Sequence, residues 1–133
     1  MKVYVDGVFD LIHPGHLSFF SRAIAAGGDG AQLIVGVIGD DDAKWKRSPV
    51  MSLTDRAAMV RACAGAAKVI APAPLVLTDE FLDAEGIDIV VHGDDSRQEQ
   101  FFAAAIARGA MVYVPYTSGI STSAIIEKIR KHY

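Results

Sequence analysis

The chain has 133 residues, of which 51% are hydrophobic and 22% charged. This length and composition predict a single globular domain over residues 1–133 that closes one hydrophobic core. The formal net charge of −3 excludes a broad basic face, so no nucleic-acid partner is expected and any recognition of phosphate must be local.

The N-terminus and the cysteine content predict the compartment. The first residues enter an apolar run directly, without a basic leader, a cleavage site or a stretch of membrane-spanning length. The one cysteine, Cys63, excludes an internal disulfide, and its place in an apolar helical pattern predicts a buried, inert thiol. We therefore expect a cytoplasmic protein with no membrane partner.

Five short apolar runs are predicted to be β-strands, and the segments between them have the apolar spacing of helices. The runs are almost continuously apolar, which is typical of parallel strands covered by helices on both faces. The strands are expected at residues 3–5, 33–38, 68–71, 87–92 and 111–114. The helices are expected to carry Leu17, Phe20 and Ile24 in the first; Ser52, Ala58, Arg61 and Ala62 in the second; Thr78 to Glu85 in the third; residues 97–108 in the fourth; and Ile125, Ile126 and Ile129 in the fifth.

This alternation of strands and helices defines the expected fold class. It predicts an α/β protein with a Rossmann-like three-layer α/β/α architecture and a five-stranded parallel sheet. Ligands of such sheets bind at the carboxyl ends of the strands. The candidate functional residues all follow predicted strands, so they are expected to meet at that edge.

The loop after the first strand carries the strongest functional signal. Gly7 and Gly15 let the backbone approach an anion closely, and the N–H groups of the helix that starts near His16 point toward it. His13 and His16 stand across a Pro-Gly turn, so both rings can donate hydrogen bonds to one phosphate.

Two other interpretations of this pair stay open. With Asp10, the two imidazoles could form half of a zinc site, although no further histidine or cysteine stands nearby to complete a tetrahedral set. Both histidines could also be plain surface residues, which would leave the flanking glycines unexplained.

Two segments near the second strand carry positive charge. The sequence KWKR at residues 44–47 is either a solvated loop or a mobile loop whose lysine neutralises substrate charge. Arg56 lies in the first turn of a helix, where acidic residues are favoured, and a bound anion would resolve this conflict.

Two later segments also lie at the expected ligand edge. The sequence HGDD at residues 92–95 ends the fourth strand, either as a simple turn or as a site for the base or a second substrate. Residues 117–123 place more hydroxyl groups at a helix N-terminus than one cap requires, which indicates a second anion site.

Together these motifs resemble the cytidylyltransferase family of glycerol-3-phosphate, phosphoethanolamine and phosphocholine cytidylyltransferases. The resemblance runs nearly end to end. It rests on GVFD at 7–10, HPGH at 13–16, GDD at 93–95 and GIST at 119–122, with Asp40, Lys46 and Arg56. It implies transfer of CMP from CTP to a small alcohol phosphate of the glycerol-3-phosphate or phosphoethanolamine type, with release of pyrophosphate and with Mg²⁺ accompanying CTP.

The resemblance also implies roles for individual residues. His13, His16 and Lys46 would be catalytic, the histidines as donors to the α-phosphate, and Lys46 with Asp40 and Leu75 would bind the alcohol phosphate. No side chain is expected to hold a metal. The nucleotide would be bound by Gly7, Val8, Phe9, Asp10, Arg56, Gly93, Asp94, Gly119, Ile120, Ser121 and Thr122.

The chain departs from the family pattern before its last motif. Relatives usually read RTEGIST, whereas residues 116–122 read YTSGIST, so one phosphate-binding cation is missing. Either Arg47 or Arg97 substitutes, or nucleotide affinity is lower, or the substrate has changed. The family segment RYVDE, which supports a dimer contact, is AGAAK at residues 64–68, so a homodimer is expected without an assigned interface.

The substrate and the reaction also have alternatives. Leu75 stands where choline-specific members carry an aromatic residue, which disfavours phosphocholine, and Phe101 and Phe102 are expected to pack within the protein. The main competing activity is an adenylyltransferase of the same superfamily acting on a cofactor precursor. A catalytically weak nucleotide-sensing domain is the third interpretation.

Overall fold

The computed structural model describes residues 1–45, 47–96, 98–115 and 119–133. Strands and helices alternate in it as the sequence predicts. The strands are β1 (Lys2–Gly7), β2 (Gln32–Ile38), β3 (Lys68–Ala73), β4 (Ile89–Gly93) and β5 (Met111–Val114). The helices are α1 (Pro14–Ala26), α2 (Asp40–Ala43), α3 (Leu53–Cys63), α4 (Asp79–Glu85), α5 (Ala103–Ala107) and α6 (Thr122–His132), with a 3₁₀ turn at Glu99–Phe101.

The five strands form one parallel sheet in the order β3-β2-β1-β4-β5. Val3 of β1 pairs with Leu33 on one side and with Ile89 on the other. The chain thus builds the sheet outward from β1 in one direction, then returns to add β4 on its other side. This reversal opens a crevice at the carboxyl ends of β1 and β4, where α/β sheets bind their ligands. The predicted Rossmann-like α/β fold is confirmed.

Alternate side chains of β1 enter two separate cores. Val3 and Val5 pack in one core with Phe20 of α1 and Val60 of α3. Tyr4 packs on the opposite face, in a core that α4 and α5 supply with Leu82 and Ala105 among others. A strand buried on both faces explains the continuous apolar runs of the sequence.

The orientation of α3 differs from the sequence interpretation. Ala58, Arg61 and Ala62 are exposed, and the buried face contains Ala57 and Val60. The prediction of a buried Cys63 is wrong, because the same rotation of the helix leaves this thiol exposed. Alanine is equally compatible with a buried and an exposed face, so the sequence pattern did not distinguish the two faces of α3.

The predicted fourth helix is shorter than its sequence pattern. Phe102 leaves the helical conformation with a φ of −117°, so the segment divides into the 3₁₀ turn and the five-residue helix α5. Its ring is 2% exposed and fills the core beneath the sheet. The short helix α2 was not predicted.

The outer helices bury less of their apolar faces than expected. Leu17 of α1 is 41% exposed and Ile129 of α6 is 50% exposed, whereas Ile125 and Ile126 are partly buried. Within the described ranges, no helix is both long and apolar enough to cross a membrane.

Candidate active site

A cleft of about 280 Å³ opens at the reversal point of the sheet, between the ends of β1 and β4. Its walls come from the loop after β1, the start of α1, the segment before α3 and the start of α6. The structure therefore brings together segments that are far apart in sequence. Ten predicted site residues line it: Gly7, Val8, Phe9, Asp10, His13, His16, Gly93, Ile120, Ser121 and Thr122.

The two histidines lie side by side in this cleft. Their ring centroids are 3.9 Å apart and the ring planes are tilted by 33°. The Gly15 N–H donates to Nδ1 of His13 at 3.1 Å, and the His13 N–H donates to Nδ1 of His16 at 3.2 Å. These bonds form a capping box at the start of α1. Because both Nδ1 atoms accept, the ring protons lie on Nε2, from which each ring can donate.

Both imidazoles are neutral at pH 7. The pKa of His16 is lowered to about 4, mainly by burial and also by the adjacent His13, whereas Asp10 acts in the opposite direction. Burial also lowers the pKa of His13. Protonation of either Nδ1 would break a bond of the capping box, so the local structure disfavours the imidazolium form as well.

The backbone around the pair is specialised for this arrangement. A Cβ atom on Gly15 would stand 2.8 Å from Cε1 of His13, so only glycine lets the ring fold over the turn. Phe9 and Leu11 adopt φ values of 51° and 50°, which are strained for side chains of this size. Phe9 is buried between the rings of His16 and Phe20, and this packing offsets the strain and supports His16 from behind.

Asp10 braces the loop internally. Its carboxylate accepts hydrogen bonds from the Val50 and Met51 N–H groups at 2.7 and 3.0 Å. Its carbonyl oxygen accepts the Thr122 hydroxyl at 2.8 Å. The residue borders the cleft, but its carboxylate is engaged by protein backbone. The carboxylate therefore positions the loop, and a contact of Asp10 with the nucleotide stays a prediction.

Arg56 likewise differs from its expected role. Its side chain is fully buried and absent from the cleft lining. The guanidinium donates to the carbonyls of Val8, Ile38 and Met51 at 2.7–3.0 Å and to Asp40 Oδ1 at 2.6 Å. The positive charge of Arg56 is unfavourable beside the N-terminus of α3, and a bound anion was expected to compensate for it. The carbonyls and the Asp40 carboxylate do so instead. Arg56 fastens the ends of β1 and β2 to the segment before α3.

The hydroxyl groups at the start of α6 also have partners within the protein. Ser121 caps the helix by accepting the Ala124 N–H at 3.0 Å, and Thr122 binds Asp10. The helix start borders the cleft, where its backbone N–H groups could receive an anion, and the anion site stays a prediction. Gly119 has a φ of 96° and does not line the cleft, and residues 117 and 118 lie outside the described residues.

A second, smaller cleft of about 130 Å³ adjoins the first and shares four lining residues with it: Asp6, Gly7, Val8 and His92. Leu75 lies in its wall, and its contact with the alcohol phosphate stays a prediction. Trp45 also lines this cleft, with its ring 5.3 Å from that of Phe101, and no sequence motif had indicated this role. Phe101 and Phe102 both pack against the core as expected, Phe102 buried and Phe101 partly buried. Both also border this cleft.

Asp6 is the titratable residue that both clefts share and that sequence reasoning did not single out. Within the described part of the chain, its carboxylate has no hydrogen bond or ion pair, and burial raises its pKa to about 7. An acidic side chain at the end of an apolar strand was the available signal.

The other expected site residues divide between the cleft rim and positions away from it. Asp40, the first residue of α2, forms an ion pair with Arg56 of α3. Asp94 is exposed, and its neighbour Asp95 lines the cleft. Lys46, Arg97 and Tyr116 lie outside the described residues. Among the described residues, no group of three or more side chains could hold a metal ion.

Replacing Asp6 by asparagine is expected to raise the thermal midpoint of unfolding more at pH 8 than at pH 5. Folding raises the pKa of Asp6 from 3.8 to about 7, so the native state holds a proton that the unfolded chain releases between these values. Native stability thus falls as the pH rises through this window, and asparagine removes this loss. Thermal unfolding at both pH values tests it, with exposed Asp29→Asn as the control. Equal changes at the two pH values would contradict the assignment.

The fold and the cleft define the class of protein: a Rossmann-like α/β domain with its site at the reversal point of a parallel sheet. The chain belongs to the cytidylyltransferase-like family, whose model matches residues 4–128. It is 36% identical to the ethanolamine-phosphate cytidylyltransferase of Dictyostelium discoideum over 97% of this chain and 36% of that protein. It is 37% identical to choline-phosphate cytidylyltransferase 2 of Arabidopsis thaliana over 100% of this chain and 46% of that protein.

The chain thus spans less than half the length of these curated relatives. Among solved structures, it is similar to the lipopolysaccharide core biosynthesis protein of Thermoplasma volcanium, with a TM-score of 0.72. The match covers 89% of this chain and 98% of that one at 20% identity, and it supports the fold.

Proposed function

We propose that this domain transfers CMP from CTP to a small alcohol phosphate of the phosphoethanolamine type, releasing pyrophosphate. The observation that carries the proposal is the pair of neutral imidazoles held over the cleft by the capping box. The family membership supports it, as do relatives whose names specify ethanolamine-phosphate and choline-phosphate as substrates.

In this reaction, a phosphate oxygen of the alcohol phosphate attacks the α-phosphorus of CTP. A new phosphorus–oxygen bond forms, the bond to the bridging oxygen of pyrophosphate breaks, and pyrophosphate leaves with the electron pair. Such transfers depend on alignment and charge stabilisation more than on covalent help from the protein. His13 and His16 donate from Nε2 to the α-phosphate oxygens, and their fixed geometry avoids a reorganisation cost at the moment of reaction.

Lys46 and Mg²⁺ complete the proposal. Lys46 provides the positive charge that draws in the alcohol phosphate. Mg²⁺ enters with CTP, because this ion is usually held by substrate phosphates and one or two carboxylates, and Asp95 offers such a carboxylate in the cleft. When bound, the ion would neutralise triphosphate charge.

The second cleft favours a primary ammonium head group. The Asp6 carboxylate has no cation paired with it in the described part of the chain, and an ethanolamine ammonium carries three donors that could bind it. A trimethylammonium has no donor, and Leu75 provides no aromatic face for it. A glycerol head group offers hydroxyl donors but no positive charge that could pair with the carboxylate. The homodimer and the cytoplasmic location stay predictions.

The proposal is tested by measuring pyrophosphate release with CTP or ATP against phosphoethanolamine, glycerol-3-phosphate and phosphocholine. We expect the highest kcat/KM for CTP with phosphoethanolamine. A preference for ATP would favour the adenylyltransferase alternative instead. CTP binding without turnover of any pair would overturn the proposed activity and favour the nucleotide-sensing domain.

A further inference from the structure

We propose that Arg47 binds the terminal phosphates of the nucleotide and replaces the cation that residue 116 lacks. The inference rests on the proposed function, because it assigns a binding residue to the same cleft. The sequence left Arg47 and Arg97 as equal candidates for this role, and the position of Arg47 in the structure favours it.

Arg47 joins the loop before α3 to the first turn of α6. Its Nη1 donates to the Ser123 hydroxyl at 2.8 Å, and the two residues line the large cleft together. Its backbone N–H donates to the Ala43 carbonyl, which fixes the start of the side chain. The guanidinium therefore stands on the α6 side of the cleft, beside the helix start that is the second predicted anion site.

One edge of this guanidinium has no partner in the described part of the chain. Nε is buried and has no hydrogen-bond partner among the described residues. Because Nη1 is bound to Ser123, the edge formed by Nε and Nη2 is left for a ligand. That edge is planar and matches two oxygens of one phosphate group, which is the geometry that distinguishes arginine from lysine.

The charges that line the cleft also favour Arg47 as the phosphate-binding cation. Its described lining contains three carboxylates, those of Asp6, Asp10 and Asp95, and both of its paired histidines are neutral at pH 7. Arg47 is the permanent cation in that described lining, because Arg56 is enclosed by protein acceptors. Without Arg47, the described lining would offer a triphosphate no permanent positive charge. The histidines serve the reacting α-phosphate, so Arg47 serves the pyrophosphate portion.

Calorimetric binding of CTP, CMP and pyrophosphate to Arg47→Gln tests the assignment. Loss of a charged, bidentate contact should weaken CTP and pyrophosphate binding about ten- to hundredfold, with CMP binding changed less than about threefold. Arg47→Lys should recover part of the affinity, because it retains charge but not the planar edge. Lys44→Gln is the matched control, since Lys44 is exposed and paired with Asp41, and it should bind all three ligands as the wild type does.

Unchanged CTP binding by Arg47→Gln, or equal weakening of CTP and CMP, would overturn the inference. If the wild type turns over CTP while the variant keeps its KM, the inference fails and the proposed function stands. If the wild type binds CTP without turnover, the proposed function fails, and the comparison of CTP with CMP still decides the role of Arg47. A wild type that binds no nucleoside triphosphate would overturn both.

Discussion

Replacing His16 by alanine is expected to lower kcat with CTP and phosphoethanolamine about 10²–10³-fold, the usual cost of losing one fixed donor to a transition-state oxygen. The substitution removes the Nε2 donor from the cleft and also the Nδ1 acceptor of the His13 N–H. The neighbouring ring then loses part of its support. Pyrophosphate release under saturating substrates measures the effect.

His132→Ala is the matched control for this substitution. His132 is exposed at the end of α6, so its loss should leave turnover unchanged. Circular dichroism of His16→Ala separates catalysis from folding, since a lost helix cap costs only about 1 kcal/mol. Undiminished turnover in His16→Ala would remove the imidazole pair from the mechanism.

Arg56→Ala is expected to lower the free energy of unfolding by at least about 3 kcal/mol. The guanidinium satisfies carbonyls from three separate segments, and each buried acceptor left without a donor costs about 1–3 kcal/mol. Its removal also leaves a cavity at the junction of β1, β2 and α3. Urea-induced unfolding gives the change directly.

Arg61→Ala on the same helix provides the control. Arg61 is exposed, so its removal should change the free energy of unfolding by less than about 0.5 kcal/mol. A stable Arg56→Ala protein with weakened CTP binding would instead restore the original expectation that Arg56 contacts the nucleotide. If Arg56 binds only protein acceptors, its replacement should lower the free energy of unfolding strongly and should weaken CTP binding little in the protein that remains folded.

The sheet could be predicted from sequence because its signal is local. Each strand is buried on both faces, so each appears as a short apolar run, and all five runs coincide with observed strands. The rotation of α3 could not be predicted, because Ala57, Ala58 and Ala62 are equally apolar and differ only in what they meet. The break at Phe102 also depends on the core that its ring fills.

For the site as well, the roles that depend on local contacts could be predicted, and those that depend on distant contacts could not. The histidine pair was predictable because the Pro-Gly turn and the capping box lie within four residues. The roles of Arg56 and Asp10 were not, because they depend on partners as far away in sequence as Val8 for Arg56 and Met51 for Asp10. The contact of Trp45 with Phe101 is of the same kind. The sequence of a motif does not show whether a polar side chain forms its hydrogen bonds with a ligand or with the protein backbone.

The most direct test of the central claim is an NMR titration of the His13 and His16 rings without and with CTP. The account predicts neutral Nε2–H tautomers in the free protein and an upward pKa shift of at least one ring on binding. One phosphate charge at about 4 Å favours imidazolium by about 4 kcal/mol at an effective dielectric of 20, against about 0.3–1 kcal/mol from the helix N-terminus. Saturating CTP that leaves both pKa values unchanged would contradict the account.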